Sequence, residues 1–182
     1  MLESYLQYIQ EGYLLSNKTI NIGLSDFESG KSNILLVAGI PASGKSTVGK
    51  KLAKKYKAIY FETDACLNNE KALNGKYIKD PDDCFRQSFR YAKKSKKRYV
   101  MEGVLVYWSC IKMDNKTLHP FFNEIKNTPI VILRTSFMKA IYRGLMREKG
   151  KAPLKKIINW YVINNIKDMK VLDVFRRART KQ

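Results

Sequence analysis

The chain has 182 residues, 45% of them hydrophobic, which suits one domain with a core of its own. Its 35 lysines and arginines against 16 aspartates and glutamates give a net charge of +19, a balance that points to polyanion contact, with nucleic acid or an acidic surface, through a basic face. No run approaches the roughly 18 apolar residues of a membrane span, Glu3 and Glu11 stand where a signal peptide would be basic, and the three cysteines (Cys66, Cys84, Cys110) have no metal-ligand spacing, so the expectation is reduced thiols in a cytoplasmic protein without membrane contact.

Residues 1–32 differ from the rest. Four acids (Glu3, Glu11, Asp26, Glu28) face two lysines (Lys18, Lys31), a charge of −2 that leaves +21 to the remaining residues. Leu2, Leu6, Ile9 and Tyr13 recur at helical spacing, which predicts an amphipathic helix. Residues 17–22 read as a short strand and 29–32 as a turn. The segment is expected to be an N-terminal helical arm that either packs on the core or docks a protein partner.

A buried strand, Asn33 to Ala38, then enters Gly39-Ile40-Pro41-Ala42-Ser43-Gly44-Lys45-Ser46, and a helix from Thr47 to Tyr56 leaves it. The segment matches G-x-x-x-x-G-K-[ST] at every fixed position, in the strand–loop–helix setting that the motif needs. Gly39 and Gly44 permit a tight turn and close approach to an anion. The N–H groups of Ala42, Ser43, Gly44, Lys45, Ser46 and Thr47 would converge on a phosphate at the helix start. Lys45 adds a mobile positive charge, and Ser46 offers a hydroxyl to Mg²⁺.

Further along, Ala58 to Phe61 reads as a second strand ending in Glu62-Thr63-Asp64. Ligands in open α/β sheets bind beyond such strand ends, which makes Asp64 a candidate for Mg²⁺ or an acceptor hydroxyl; an N-cap is its structural alternative. Residues 67–80 read as a polar loop. Asp80-Pro81-Asp82-Asp83 is a strong helix start. On that helix Arg86 and Arg90 share a face and either reach the acceptor or pair with nearby acids.

The basic run Lys93 to Arg98 precedes a third strand that closes on Glu102-Gly103, an acid placed to hold the Mg²⁺ water shell or to orient the acceptor. Val104 to Trp108 is a core segment or an acceptor-pocket wall. Thr117 to Asn127 is predicted helical, with Leu118, Phe121, Phe122 and Ile125 buried. Pro129 to Leu133 is the fourth strand. The helix after it carries Arg143 and Arg147, spaced to close over a transferring phosphoryl group. Gly150 and residues 151–153 end it. Leu154 to Phe175 is predicted as a final helix with Ile157, Ile158, Tyr161, Val162, Ile166, Met169 and Leu172 inward, followed by a frayed basic tail.

From residue 33 to about residue 150, this order resembles the P-loop kinase group, which includes nucleoside monophosphate, shikimate, gluconate and uridine kinases, zeta-toxin-like kinases and polynucleotide 5′-kinases. The resemblance covers about two-thirds of the chain. The arm also resembles small kinase-like proteins of large bacteriophages, which would set the location as host cytoplasm or virion. The implied fold is α/β: a three-layer P-loop NTPase domain over residues 33–182 with a mostly parallel sheet and the arm at 1–32. The implied activity is transfer of the γ-phosphoryl of ATP, with Mg²⁺, to a nucleotide, nucleoside or nucleic-acid acceptor. By the same resemblance Lys45 and Ser46 hold the nucleotide and metal. Asp64 is the acceptor-binding acid able to act as base, Glu102 matches the acid of a Glu-Gly pair, and Arg143 and Arg147 are lid arginines, with closure expected around 143–152. No Walker B aspartate of the hydrolytic kind and no arginine-finger insert stand in the chain, which speaks against a motor ATPase. Two alternatives stay open: a non-catalytic, nucleotide-loaded component of a larger assembly, and a zeta-toxin-like kinase.

Overall fold

The computed structural model describes residues 19–69, 71–112, 117–148 and 154–180. The predicted helix within residues 1–18 and the linker at 149–153 lie outside them.

The described strands are β1 (Thr19–Ile22), β2 (Ile34–Gly39), β3 (Ile59–Glu62), β4 (Tyr99–Glu102) and β5 (Ile130–Leu133). The helices are α1 (Leu24–Glu28), α2 (Lys45–Lys55), α3 (Ala65–Asn69), α4 (Pro81–Lys94), α5 (Leu105–Trp108), α6 (Phe122–Ile125), α7 (Phe137–Glu148) and α8 (Leu154–Thr180). The strands form one five-stranded sheet in the order β1-β5-β2-β4-β3. β2 pairs in parallel with β4 and β5, and β4 with β3, while β1 lies antiparallel on β5. The sheet is therefore mixed.

β2 is the centre, and every one of its residues is buried. A near-continuous apolar run is what a parallel strand covered on both faces requires. Its alternate residues serve two cores. Leu35 and Val37 pack with Phe27 of α1 and with Val48, Leu52 and Ala53 of α2. Ile34, Leu36 and Ala38 face the other way, onto Phe85 and Phe89 of α4, Val106 of α5, Phe122 of α6 and Phe175 of α8. Edge-to-face rings, Phe85 on Phe121 at 5.8 Å and Phe89 on Phe121 at 5.5 Å, fill the second core. A third cluster joins Ala140 and Ile141 of α7 to Ile157, Tyr161 and Met169 of α8. Among the described residues no helix is long and apolar enough to cross a membrane.

Several expectations need correction. Cys66 and Cys84 form a disulfide, buried where α3 packs on α4, so only Cys110 is a free thiol. The helix expected over 117–127 contracts to α6, because Leu118 is held in a bridge to Ile111 and is 39% exposed rather than buried. The basic tail is not frayed: α8 continues to Thr180 and buries Arg179, whose guanidinium donates to the carbonyls of Ile125 at 3.0 Å and Thr128 at 2.5 Å. Those are the open carbonyls at and beyond the end of α6. Burial pushes the Arg179 pKa down to about 10. Within the basic run, Arg98 turns inward, donates to the Phe27 carbonyl and stacks over the Phe27 ring at 4.2 Å.

Candidate active site

The four parallel strands end along one edge, at Gly39, Glu62, Glu102 and Leu133. The chain passes from β2 to one side of it for β3 and β4, then crosses to the other side for β5. The connections reverse at β2, and crevices beyond strand ends open at such points.

The loop after β2 is tight. Ala42 (φ 58) and Gly44 (φ 95) both lie in the left-handed region, which for an L residue costs about 1–2 kcal/mol. This geometry turns successive N–H groups into one concavity. α2 begins at Lys45, so the N–H groups of residues 45–47 have no acceptor within the helix. A Cβ on Gly39 would fall 2.6 Å from Ser43 Oγ. The Ser43 carbonyl accepts from Thr135 Oγ1 at 3.1 Å and from Arg143 Nη1 at 3.4 Å, which ties the loop to the segment after β5 and to α7. Lys45 is 7% exposed; its Nζ donates to the Ile40 carbonyl at 3.1 Å, across the loop, and burial lowers its pKa.

Beside the loop is a cleft of about 570 Å³. Ala42, Gly44, Lys45, Ser46, Thr47, Asp64, Arg143 and Arg147 all line it. The structure thus brings together most of the residues singled out from sequence. The Asp64 side chain is fixed by the Val104 N–H, which donates to its Oδ1 at 3.1 Å. Gly103 (φ 146) makes that possible: a Cβ there would lie 2.0 Å from Thr63 Oγ1 and 2.6 Å from Asp64 Oδ1. Arg147 Nη2 donates to the Tyr161 hydroxyl at 2.6 Å, which joins α7 to α8 at the rim.

Glu102 stands behind the loop rather than in the cleft wall. It is 1% exposed, and its Oε1 accepts from the Tyr60 hydroxyl at 2.7 Å. Burial raises its pKa against the hydrogen bonds from Tyr60 and Ser46 and the nearby charge of Lys45. Gly49 of α2 leaves the room it needs, since a Cβ there would meet Glu102 Cγ at 3.2 Å. Glu102 Oε2 is buried with no protein partner. Among the described residues no group of three or more histidines, cysteines or acids is gathered for a metal.

Besides Glu102, two more expected acceptor residues lie outside the cleft. Arg86 Nη1 pairs with Asp83 at 2.9 Å and its Nη2 reaches the Ser109 carbonyl at 3.4 Å. Arg90 is bonded to Glu124 through Nε at 2.8 Å and Nη2 at 2.6 Å. Neither lines the cleft. α4 turns Phe85 and Phe89 into the core, and this leaves its arginines beside α5 and α6.

Other cleft residues were not anticipated. Trp160, Asn164 and Asp168 of α8 line the cleft beside Trp108 and Val104. Asp168 is 5% exposed and accepts from the indole N–H of Trp108; burial raises its pKa. The available signal was their spacing of four on a helix whose other inward positions are mostly apolar. A second pocket, of about 500 Å³, adjoins the same loop and is lined by Thr47, Val48, Arg134, Thr135, Lys139 and Arg143 among others.

No protein-family model matches the chain, and no curated protein does.

Proposed function

We propose that this protein is a P-loop kinase-like phosphotransferase that moves the γ-phosphoryl group of ATP onto a hydroxyl of an acceptor. The observation that carries the reading is the convergence of Lys45, Ser46, Asp64, Arg143 and Arg147 on one cleft at the end of β2. A strand order that reverses at the loop-bearing strand supports a P-loop domain.

In this reading the triphosphate lies over the loop N–H groups and the start of α2, with Lys45 at its β- and γ-phosphates. The nucleoside extends into the pocket at Thr47, Val48, Arg134 and Thr135, and the acceptor enters on the Asp64 side. The acceptor oxygen attacks the γ-phosphorus while the bond from that phosphorus to the β–γ bridging oxygen breaks. Asp64 takes the hydroxyl proton, and ADP leaves with the electron pair. Arg143 and Arg147 sit where charge spreads onto the moving group, and fixed cations there lower the barrier. The partnerless Glu102 Oε2 next to Ser46 fits a divalent cation. Ser46 and Glu102 would hold Mg²⁺ together with phosphate oxygens, and the ion would neutralise charge on the β- and γ-phosphates.

The test is a transfer assay with γ-labelled ATP over nucleosides, nucleotides, amino sugars and nucleic-acid ends. Transfer that disappears in Asp64→Asn while ATP binding persists, and disappears together with ATP binding in Lys45→Ala, supports the assignment. ATP that neither binds nor is consumed would refute it.

A further inference from the structure

The sign of the charge changes inside the cleft. The chain holds more than two cations for every acid. Yet the same cleft is also lined by Glu62, Asp64 and Asp168, with Trp108, Trp160, Leu67 and Val104 as its apolar part and Asn164 besides. The cations of the cleft, Lys45, Arg143 and Arg147, belong to the loop, α2 and α7, where a triphosphate would use them. Among the described residues none of the three acids has a cation within 4 Å, although the charge of Lys45 acts on Asp64 and Asp168 from farther off. Arg86 and Arg90, the arginines that could have met a second phosphate, are bonded to Asp83 and Glu124 away from the cleft.

Building on the proposed phosphotransfer, we infer that the acceptor carries no phosphate: it is a small hydroxylated ring bearing an amino group, which Asp168 and Glu62 read while Trp108 and Trp160 cover the ring.

The physical case is one of exclusion and of fit. A phosphorylated acceptor, whether a nucleoside monophosphate or a nucleic-acid end, would place two or more negative charges beside three carboxylates, and like charges set together cost several kcal/mol. Rejection by unpaired like charge is a common way of securing specificity. Carboxylates held rigidly at a cleft wall accept well from N–H groups, and a cation or polarised amine there gains rather than loses. Asp168 is well anchored for this, with the Trp108 indole N–H holding one oxygen. Trp108 is half-buried and Trp160 is 54% exposed, so both offer ring surface on which a flat or faceted ring can lie. The step on such an acceptor is the one written above: its hydroxyl oxygen bonds to the γ-phosphorus, its proton goes to Asp64, and ADP departs. The amino group only positions the acceptor.

Matched pairs provide the test: glucosamine against glucosamine 6-phosphate, adenosine against AMP, and an aminocyclitol against a 5′-hydroxyl oligonucleotide. Thermal shift with ATP is measured first; if ATP gives no shift, the kinase reading itself falls. With ATP bound, the expected result is kcat/KM at least about 100-fold higher for the unphosphorylated member of each pair, since several kcal/mol of repulsion correspond to two or more decades. Activity on the amino sugars or on adenosine tells which source of the amino group is used. Asp168→Asn is expected to raise the acceptor KM about tenfold and leave the ATP KM unchanged. Asp168 is buried, so Trp160→Ala, at an exposed position, serves as the second variant and is expected to raise the same KM. Calorimetric titration of the acceptors without ATP gives a reading independent of turnover. Preference for AMP or for the oligonucleotide, or a lack of binding heat for every amino-bearing ring, would overturn the inference while leaving ATP binding intact.

Discussion

Lys45→Met separates a phosphate-binding lysine from a merely structural one, because stability and ligand response should move in opposite directions. The lysine is 7% exposed and its Nζ rests on the Ile40 carbonyl at 3.1 Å. Burying an ammonium costs several kcal/mol after relaxation. A hydrogen bond from a charged donor returns about 1.5–3 kcal/mol, and the charges of Asp64, Glu102 and Asp168 return more. The balance without ligand is close to zero or slightly adverse, so methionine, of similar volume, should leave the free protein as stable or more stable by roughly 1 kcal/mol. Ligand changes the sign. At an ATP concentration of a hundred times Kd the wild type gains about 2.7 kcal/mol, which for a domain of this size raises Tm by about 5–11 °C. The methionine variant should show little of that rise. Thermal unfolding with and without ATP–Mg²⁺ measures both quantities on the same samples. A variant that is clearly destabilised yet keeps the full ATP response would refute the placement of Lys45 at the phosphates.

Arg143→Ala should lower kcat about 10²–10³-fold with little change in ATP affinity, as for loss of one donor to a transition-state charge; an unchanged kcat in steady-state assays would assign the residue to holding the loop alone. Glu102→Gln should abolish Mg²⁺-dependent turnover while stabilising the protein at neutral pH. The pKa of Glu102 is raised by burial, so in the wild type the native state holds the proton more tightly than the unfolded one, and stability falls as pH rises through the interval between the ordinary glutamate value and the raised one. The stability gap between variant and wild type should therefore close as pH is lowered into the carboxyl range, and denaturant titrations at a series of pH values check it; a gap independent of pH contradicts it. Thiol titration of the denatured, unreduced protein should find one reactive cysteine rather than three, because Cys66 and Cys84 are bonded and Cys110 is free.

What could be read from the sequence, and what could not, divides on physical lines. The loop at 39–46 was legible because its constraint is local: the backbone turns left-handed at Gly44 and leaves no room for a Cβ at Gly39, and glycine spacing records both. Asp64 and Glu102 were legible because strand ends are easy to locate and parallel strands end together. Arg86 and Arg90 were misplaced for the converse reason. A spacing of four puts two side chains on one helix face, but which neighbour that face meets is decided by the packing of Phe85 and Phe89 against Phe121, far along the chain. The same limit hid Arg179. Its composition reads as a solvated tail, whereas its role is to satisfy carbonyls at the end of α6, more than fifty residues away.

The α8 lining of the cleft combines both situations. The predicted inward stripe of α8 was apolar, and Tyr161 and Met169 do bury there. Asn165 and Asp168 lie in the same buried stripe, at 0% and 5% exposure. A buried carboxylate is expensive unless something answers it; Asp168 accepts from aromatic groups of α5, the indole of Trp108 and the hydroxyl of Tyr107, and the charge of Lys45 acts on it as well. A helix built only to close the core has no need of an aspartate there, and in the proposed reading Asp168 makes α8 part of the acceptor side of the cleft. Polar residues interrupting an amphipathic stripe are thus the sequence feature by which such a wall can be found, and their sign tells which substrates it will turn away.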